Sequence, residues 1–185
     1  MKITSKTGLL LIDVQKAFDD PKWGSRNNPF AEENIGHLLS VWRAKGLPVV
    51  HIRHLSRNRG SLFHPDADSC DFKEEARPLA EEPVIEKYVN SAFIGTDLEE
   101  RLRERGIQSL VIAGLTTDHC VSTTTRMARN LGFDPQLLSD ATATFDRVDL
   151  DGNRIPAAEV HRIHLASLHG EFTQVTNIRN LIAHL

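Results

Sequence analysis

In the stretch LVIAGLTTDHCVSTTTRMARNLG, residues 110–132, a cysteine at position 120 follows a short apolar run and precedes a segment with helical spacing. Two readings compete for that thiol. Cysteine is among the most often buried residues, so core filling is the plainer one. Its place at the expected start of a helix favours chemistry, because unpaired backbone N–H groups and the helix dipole stabilise a thiolate there. The preceding GLTTDH offers a glycine for a tight turn and two threonines, whose N–H groups would converge with that of Cys120 on a developing oxyanion.

A nucleophile also needs a group to handle its proton. His119 is adjacent, but neighbours on a helix point about 100° apart, and a histidine there more often faces solvent or caps the turn. Asp13 is better placed: it closes the apolar run LLLID, where a charge at the end of an interior strand must be paired or used. Lys87 ends PVIEK in the same manner, and a lysine close to both would hold the carboxylate charged and favour the thiolate. Each residue alone reads as ordinary strand-end hydrogen bonding or a solvated charge. Brought to one sheet edge, the three become a candidate catalytic group.

That edge follows from the order of the elements. Short, mostly apolar runs at residues 8–14, 47–53, 83–87, 110–114 and 134–138 read as strands, and 171–175 (EFTQV) as a sixth. Between them apolar residues fall three or four apart: Ile35, Leu38, Leu39 and Trp42; Leu98 and Leu102; Val121, Thr124, Ala128 and Leu131; Val160 and Ile163. Alternating strand and helix signals predict βαβ units and a parallel sheet covered on both faces. Two long connections, DPKWGSRNNP and LSRNRGSLFHPDADSC, leave the carboxyl ends of the first two strands, where ligands bind in open α/β sheets.

The chain of 185 residues suits one domain, residues 1–185. A net charge of -3 with Lys and Arg scattered among Asp and Glu argues against nucleic acid as a partner. The apolar run near the N-terminus is broken by Asp13, and no span approaches membrane length, so a cytoplasmic protein is expected. With 2 cysteines and no CxxC, a disulfide is not expected; Cys70, in the polar stretch HPDADSCDF, reads as an incidental free thiol.

The segments LLLIDVQKAF, VIEKYVNSAFIGTDLEERLRERGIQSLVIAGLTTDHCVSTTTRMARNLGF and LLSDATATF resemble the isochorismatase-like cysteine hydrolases, a family that includes nicotinamidases and carbamoylsarcosine and ureidoacrylate amidohydrolases. The resemblance runs from about Gly8 to Val175. It implies a three-layer, doubly wound α/β fold with a six-stranded parallel sheet in the order 3-2-1-4-5-6. It implies the catalytic triad Asp13, Lys87 and Cys120, and a cis peptide bond before Thr116 that turns the N–H groups of Thr116 and Cys120 into an oxyanion hole. The implied activity is cysteine-dependent hydrolysis of a small amide or carbamoyl compound through a thioester. An isochorismatase-type ether hydrolase using Asp13 alone, or a binding protein on the same fold, is the alternative. A homodimer or homotetramer is expected from the same likeness.

The metal ligands of the nicotinamidases, an Asp-x-His and a later His, have no counterpart: HIRHLS stands at the equivalent place, and His51, His54 and His64 lack a completing carboxylate. No metal and no cofactor are expected. Gln15, Phe18, Trp23, Arg53, Asn90 and Phe93 are the candidate substrate contacts. Arg53, with Arg57 and Arg59, offers a fork for a carboxylate, and the aromatic residues offer either pocket walls or core packing.

Overall fold

A computed structural model describes residues 3–183; the two residues at each end of the expected domain lie outside it. β1 (Thr7–Ile12), β2 (Val49–His54), β3 (Val84–Lys87), β4 (Ser109–Leu115), β5 (Asp134–Ala143) and β8 (Gln174–Thr176) form one parallel sheet in the order β3-β2-β1-β4-β5-β8. Counted within this sheet, that is the expected 3-2-1-4-5-6. A separate two-stranded antiparallel ribbon, β6 (Arg147–Val148) with β7 (Arg154–Ile155), gave no sequence signal because two-residue strands carry no periodicity.

The helices divide between the two faces. Leu9 and Leu11 of β1 share one core with α1 (Ala31–Ala44) and α5 (Ile178–Ile182). Leu10 and Ile12 pack into the other, with α2 (Leu98–Glu104), α3 (Ser122–Asn130) and Leu168 of α4 (Ala157–Leu168). Strand side chains alternate between faces, so a strand covered on both must be apolar throughout. The run LLLI does this, and each fully buried aliphatic side chain contributes roughly 1.5–3 kcal/mol. In α1 the predicted spacing holds: Ile35, Leu38, Leu39 and Trp42 are all buried, and Trp42 Nε1 donates to Pro48 O at 2.9 Å. In α4 it holds only in part. Val160 is buried but Ile163 is half exposed, over a shallow apolar groove shared with Ile155. Among the described residues no helix is long and apolar enough to cross a membrane.

Glu82, in the loop before β3, ties α1 to the sheet. It accepts from Arg43 Nε at 2.7 Å and Nη2 at 2.6 Å and from the Leu79 N–H at 2.9 Å, and lies 2.8 Å from His51 Nε2. Burial pushes its carboxyl up, but the bonds from Arg43 and Leu79 outweigh that and hold it at about 2 against an ordinary 4.5. A depressed carboxyl stabilises the fold above its ordinary value, and that stability is lost as pH falls towards the folded value. Glu82→Gln is therefore expected to cost about 1–2 kcal/mol at neutral pH, discounted for the partly open Arg43. In denaturant titrations the gap between wild type and variant should close as pH drops from 4.5 towards 2; a constant gap would show that packing, not charge, is lost.

Candidate active site

β1 ends at Ile12, one step before the aspartate, and Asp13 itself turns out of the strand with φ 51. Aspartate is one of the few residues that tolerate the left-handed region. Its carboxylate is completely buried, as is the side chain of Lys87. Lys87 Nζ donates to Asp13 Oδ2 at 2.7 Å and to Cys120 Sγ at 3.3 Å, and it lies 3.0 Å from His54 Nδ1. The strand order explains the meeting. β3, β2, β1 and β4 are successive neighbours, so Lys87, His54, Asp13 and the segment after β4 reach one edge.

The segment after β4 is not the ordinary helix start expected from sequence. The Leu115–Thr116 peptide bond is cis, as the resemblance implied, and Thr117–Val121 form a π-helical turn that runs into α3. Cys120 sits inside that turn. Its electrostatics also depart from expectation: burial first, and then the charge of Asp13, push the Cys120 thiol up to about 12, against the pull of Lys87. Burial likewise raises Asp13 above the usual carboxylate range, opposed by Lys87. The resting thiol is therefore protonated, not a standing thiolate. Asp13 Oδ1 is buried without a hydrogen-bond partner, so it has a free lone pair for that proton.

Above these groups lies a cavity of about 160 Å³. Asp13, Thr116 and Cys120 line its floor; Phe18, Trp23 and Phe63 form an aromatic wall; His54 and Asn90 flank it, with His119 and Arg147 also on its lining. The wall is self-supporting. Phe18 meets Phe63 edge-on at 5.2 Å between centroids, Trp23 and Phe145 stack at 5.7 Å, and Trp23 Nε1 donates to Ala17 O at 2.7 Å. Arg147 is held by Asp118, whose Oδ2 accepts from its Nε at 2.8 Å. Burial raises the Asp118 carboxyl, but bonds from Thr144 and Arg147 and the neighbouring His119 more than offset it and leave it lowered.

Of the candidate substrate contacts, Phe18, Trp23 and Asn90 line the cavity, and Gln15, Arg53 and Phe93 do not. Gln15 is wholly buried and braces loops instead: its Nε2 donates to His54 O at 3.0 Å and Cys70 O at 2.8 Å, and its Oε1 accepts from His54 N at 2.8 Å. Arg53 pairs with Glu86, its register partner on β3. Adjacent residues of a strand point to opposite faces, so it is His54, not Arg53, that turns to the cavity. Phe93 stacks on Phe133 at 5.9 Å in the core. His54 closes β2 as Asp13 follows β1 and Lys87 closes β3, but His51 and Arg53 interrupt the apolar run before it and hid that position. Phe63 lies in the long second connection, which leaves the sheet edge where a ligand was expected, while Arg147 had no signal.

His51, His54 and His64 do not converge: His51 is spent on Glu82 and His64 lies 3.6 Å from Asp66. Asp13, His54 and Cys120 do bring donor atoms within 4.8 Å of one another. The amine of Lys87, within hydrogen-bond range of all three, already fills the position a metal ion would take, so this trio does not fit one.

The profile of the isochorismatase domain matches residues 7–179. The chain belongs to the isochorismatase family. YrdC, an isochorismatase family protein of Bacillus subtilis, is 53% identical over 96% of this chain and 95% of its own. A streptothricin hydrolase of Streptomyces noursei is 31% identical over 81% of this chain and 60% of its own length. Among solved structures, an isochorismatase-family hydrolase from Chromobacterium violaceum superposes with a TM-score of 0.96 at 46% identity, covering 100% of this chain and 96% of the other. A cysteine hydrolase from Pseudomonas syringae gives 0.91 at 26% identity, covering 100% and 94%. The chain is an isochorismatase-family hydrolase with cysteine hydrolases among its structural neighbours.

Cys70, expected on a polar loop, is instead buried, with Sγ 3.4 Å from Phe63 O and burial raising its thiol. Cys120 opens on the cavity. Iodoacetamide at neutral pH is expected to label Cys120 at least about tenfold faster than Cys70, yet more slowly than an unburied cysteine, because its thiolate is disfavoured. Peptide mapping over a time course reads both rates; equal rates at the two sites would contradict the assigned access.

Proposed function

We propose that this chain is a cysteine-dependent hydrolase of a small amide or carbamoyl compound, acting through a thioester. The observation that carries the reading is Lys87 Nζ bridging Asp13 and Cys120 on the floor of an aromatic-walled cavity. Cys120 Sγ attacks the substrate carbonyl carbon as its proton passes to Asp13, so the charge never rests on an unpaired buried thiolate. The carbonyl oxygen becomes an oxyanion, met by the N–H groups of Thr116 and Cys120. When the C–N bond breaks, Asp13 returns the proton to the departing nitrogen, which leaves as ammonia or an amine. Water then attacks the thioester, giving its proton to Asp13. The carboxylic acid departs and the proton goes back to sulfur. Lys87 keeps its contacts throughout and steadies each negative charge in turn.

The small cavity favours a compact acyl group. Its interior charges are already paired, Lys87 with Asp13 and Arg147 with Asp118, which favours an uncharged one. The test is a panel of small amides and carbamoyl compounds assayed for released ammonia, with intact-mass detection of an acyl adduct on Cys120 in quenched reactions. Release without any adduct, in a protein whose blocked Cys120 still turns over, would defeat the covalent route. Asp13→Asn is expected to lower turnover by about 10²–10⁴-fold, the usual worth of a positioned proton carrier. It should also weaken the fold, since Lys87 loses its buried counter-charge. Turnover per folded molecule near that of wild type would remove Asp13 from the mechanism.

A further inference from the structure

His54 is absent from the chemistry above, yet it is fixed as firmly as the groups that perform it. An ammonium has three N–H donors and no lone pair. Those of Lys87 face Asp13 Oδ2 at 2.7 Å, His54 Nδ1 at 3.0 Å and Cys120 Sγ at 3.3 Å. Nδ1 must therefore be the acceptor, which leaves the ring proton on Nε2. Burial and the charge of Lys87 together hold this histidine at about 4, so it stays neutral at physiological pH. The ring is held edge-on against Phe63 at 5.2 Å and on Lys87, and the backbone that carries it is fixed by Gln15, which bonds both the N–H and the carbonyl of His54. No protein group accepts from Nε2 among the described residues, and it is not one of the buried polar atoms left unpaired; His54 is part of the cavity lining. The result is a fixed, uncharged donor in an otherwise aromatic wall.

We infer that His54 sets specificity by donating its Nε2 hydrogen to a hydrogen-bond acceptor on the acyl part of the substrate. The inference rests on the hydrolase reading for its chemistry but not for its geometry. A cavity of roughly this size accommodates a single six-membered ring. The substrate class is a small, planar, uncharged amide whose acyl group carries one acceptor, such as a ring nitrogen or a second carbonyl oxygen. A site built to bond such an atom discriminates against the isostere that lacks it, because its own donor is then left unpaired.

Benzamide and the three pyridinecarboxamides form an isosteric set that differs only in whether and where an acceptor stands. In wild type, one pyridine isomer is expected to exceed benzamide in kcat/KM by about tenfold or more, the worth of one such hydrogen bond. In His54→Asn the side-chain oxygen can still accept from Lys87 but the Nε2 donor is gone, and the ratio should fall to near one. In His54→Gln a donor returns near the Nε2 position, and part of the preference should return. A ratio near one in wild type, or one that survives in His54→Asn, would overturn the inference while leaving the hydrolase intact. A second readout needs no turnover. Imidazole ¹⁵N spectra of the Cys120→Ala protein should show His54 protonated at Nε2, with that resonance shifted by the preferred pyridinecarboxamide and not by benzamide. If no amide is hydrolysed by wild type yet this shift is seen, the hydrolase reading fails and the His54 donor stands. An Nδ1-protonated ring would overturn the donor directly.

Discussion

Cys120→Ser is expected to fold like wild type and to lose amide hydrolysis by about 10⁴-fold or more, the scale seen when a covalent nucleophile is removed. The substitution trades sulfur for a smaller oxygen in the same place, so the cost to packing is small. What changes is the proton. A serine hydroxyl is far more reluctant to ionise than a thiol, and this site already penalises the anion by burial and by the charge of Asp13. Asp13, itself raised by burial, is a sufficient base for a thiol during attack but lacks the help a serine needs from a histidine held against it: His54 faces Lys87 with its only lone pair. An ether hydrolase working by acid catalysis from Asp13 would not need the sulfur. Retention of more than about a tenth of the amide hydrolysis would therefore defeat the covalent route, whereas a vinyl ether cleaved equally well by wild type and Cys120→Ser would move the reading to that alternative. Ammonia release and adduct mass on the same preparation, with near-ultraviolet circular dichroism to confirm folding, measure both sides.

The floor of this site was legible in the sequence because its residues break apolar runs. Asp13 after LLLI is a charge where an interior strand should have none, Lys87 closes the short edge strand β3 with its own side chain buried, and parallel strand order brings the two to one sheet edge. His54 ends β2 in the same way but was read as one of several histidines, since HIRH shows no clean apolar run before it. Arg53 drew attention through its charge, although alternation along β2 turns it away. The two threonines of GLTTDH were candidates from the residues themselves, but the choice of Thr116 and the cis bond before it came only through family likeness, as nothing in local propensity signals a cis bond. At the far edge, β5 continues past Leu138 to Ala143, where its register with β4 shifts between Ile112 and Gly114. Ser139 and Asp140 interrupt the apolar pattern there, so the sequence suggested a strand end. β8 begins three residues later than EFTQV predicted, because Thr173 turns its hydroxyl to Pro135 O at 2.8 Å before regular pairing starts.

Gly114→Ala is expected to destabilise the fold by more than about 4 kcal/mol, in the range reserved for changes the core cannot absorb. The sequence suggested that this glycine serves a tight turn; its position shows a different need. Gly114 pairs with Ile12 across β1 and β4, and a Cβ on it would stand 2.0 Å from Ile12 O and 2.7 Å from Ile12 N. Those are backbone atoms of the central strand, so no rotamer change relieves the overlap. Its φ of 126 is also a conformation that side-chain-bearing residues rarely adopt. The two strands would have to separate one residue before Asp13 and two before Thr116, the point at which the carboxylate and the cavity floor are brought together. Urea unfolding should show a loss of this size or no folded protein at all. Where some folded protein remains, labelling of Cys120 should approach the rate of an exposed thiol as the floor opens. A variant within about 1 kcal/mol of wild type would mean that β1 and β4 can part without cost, and that their close approach does not hold the site.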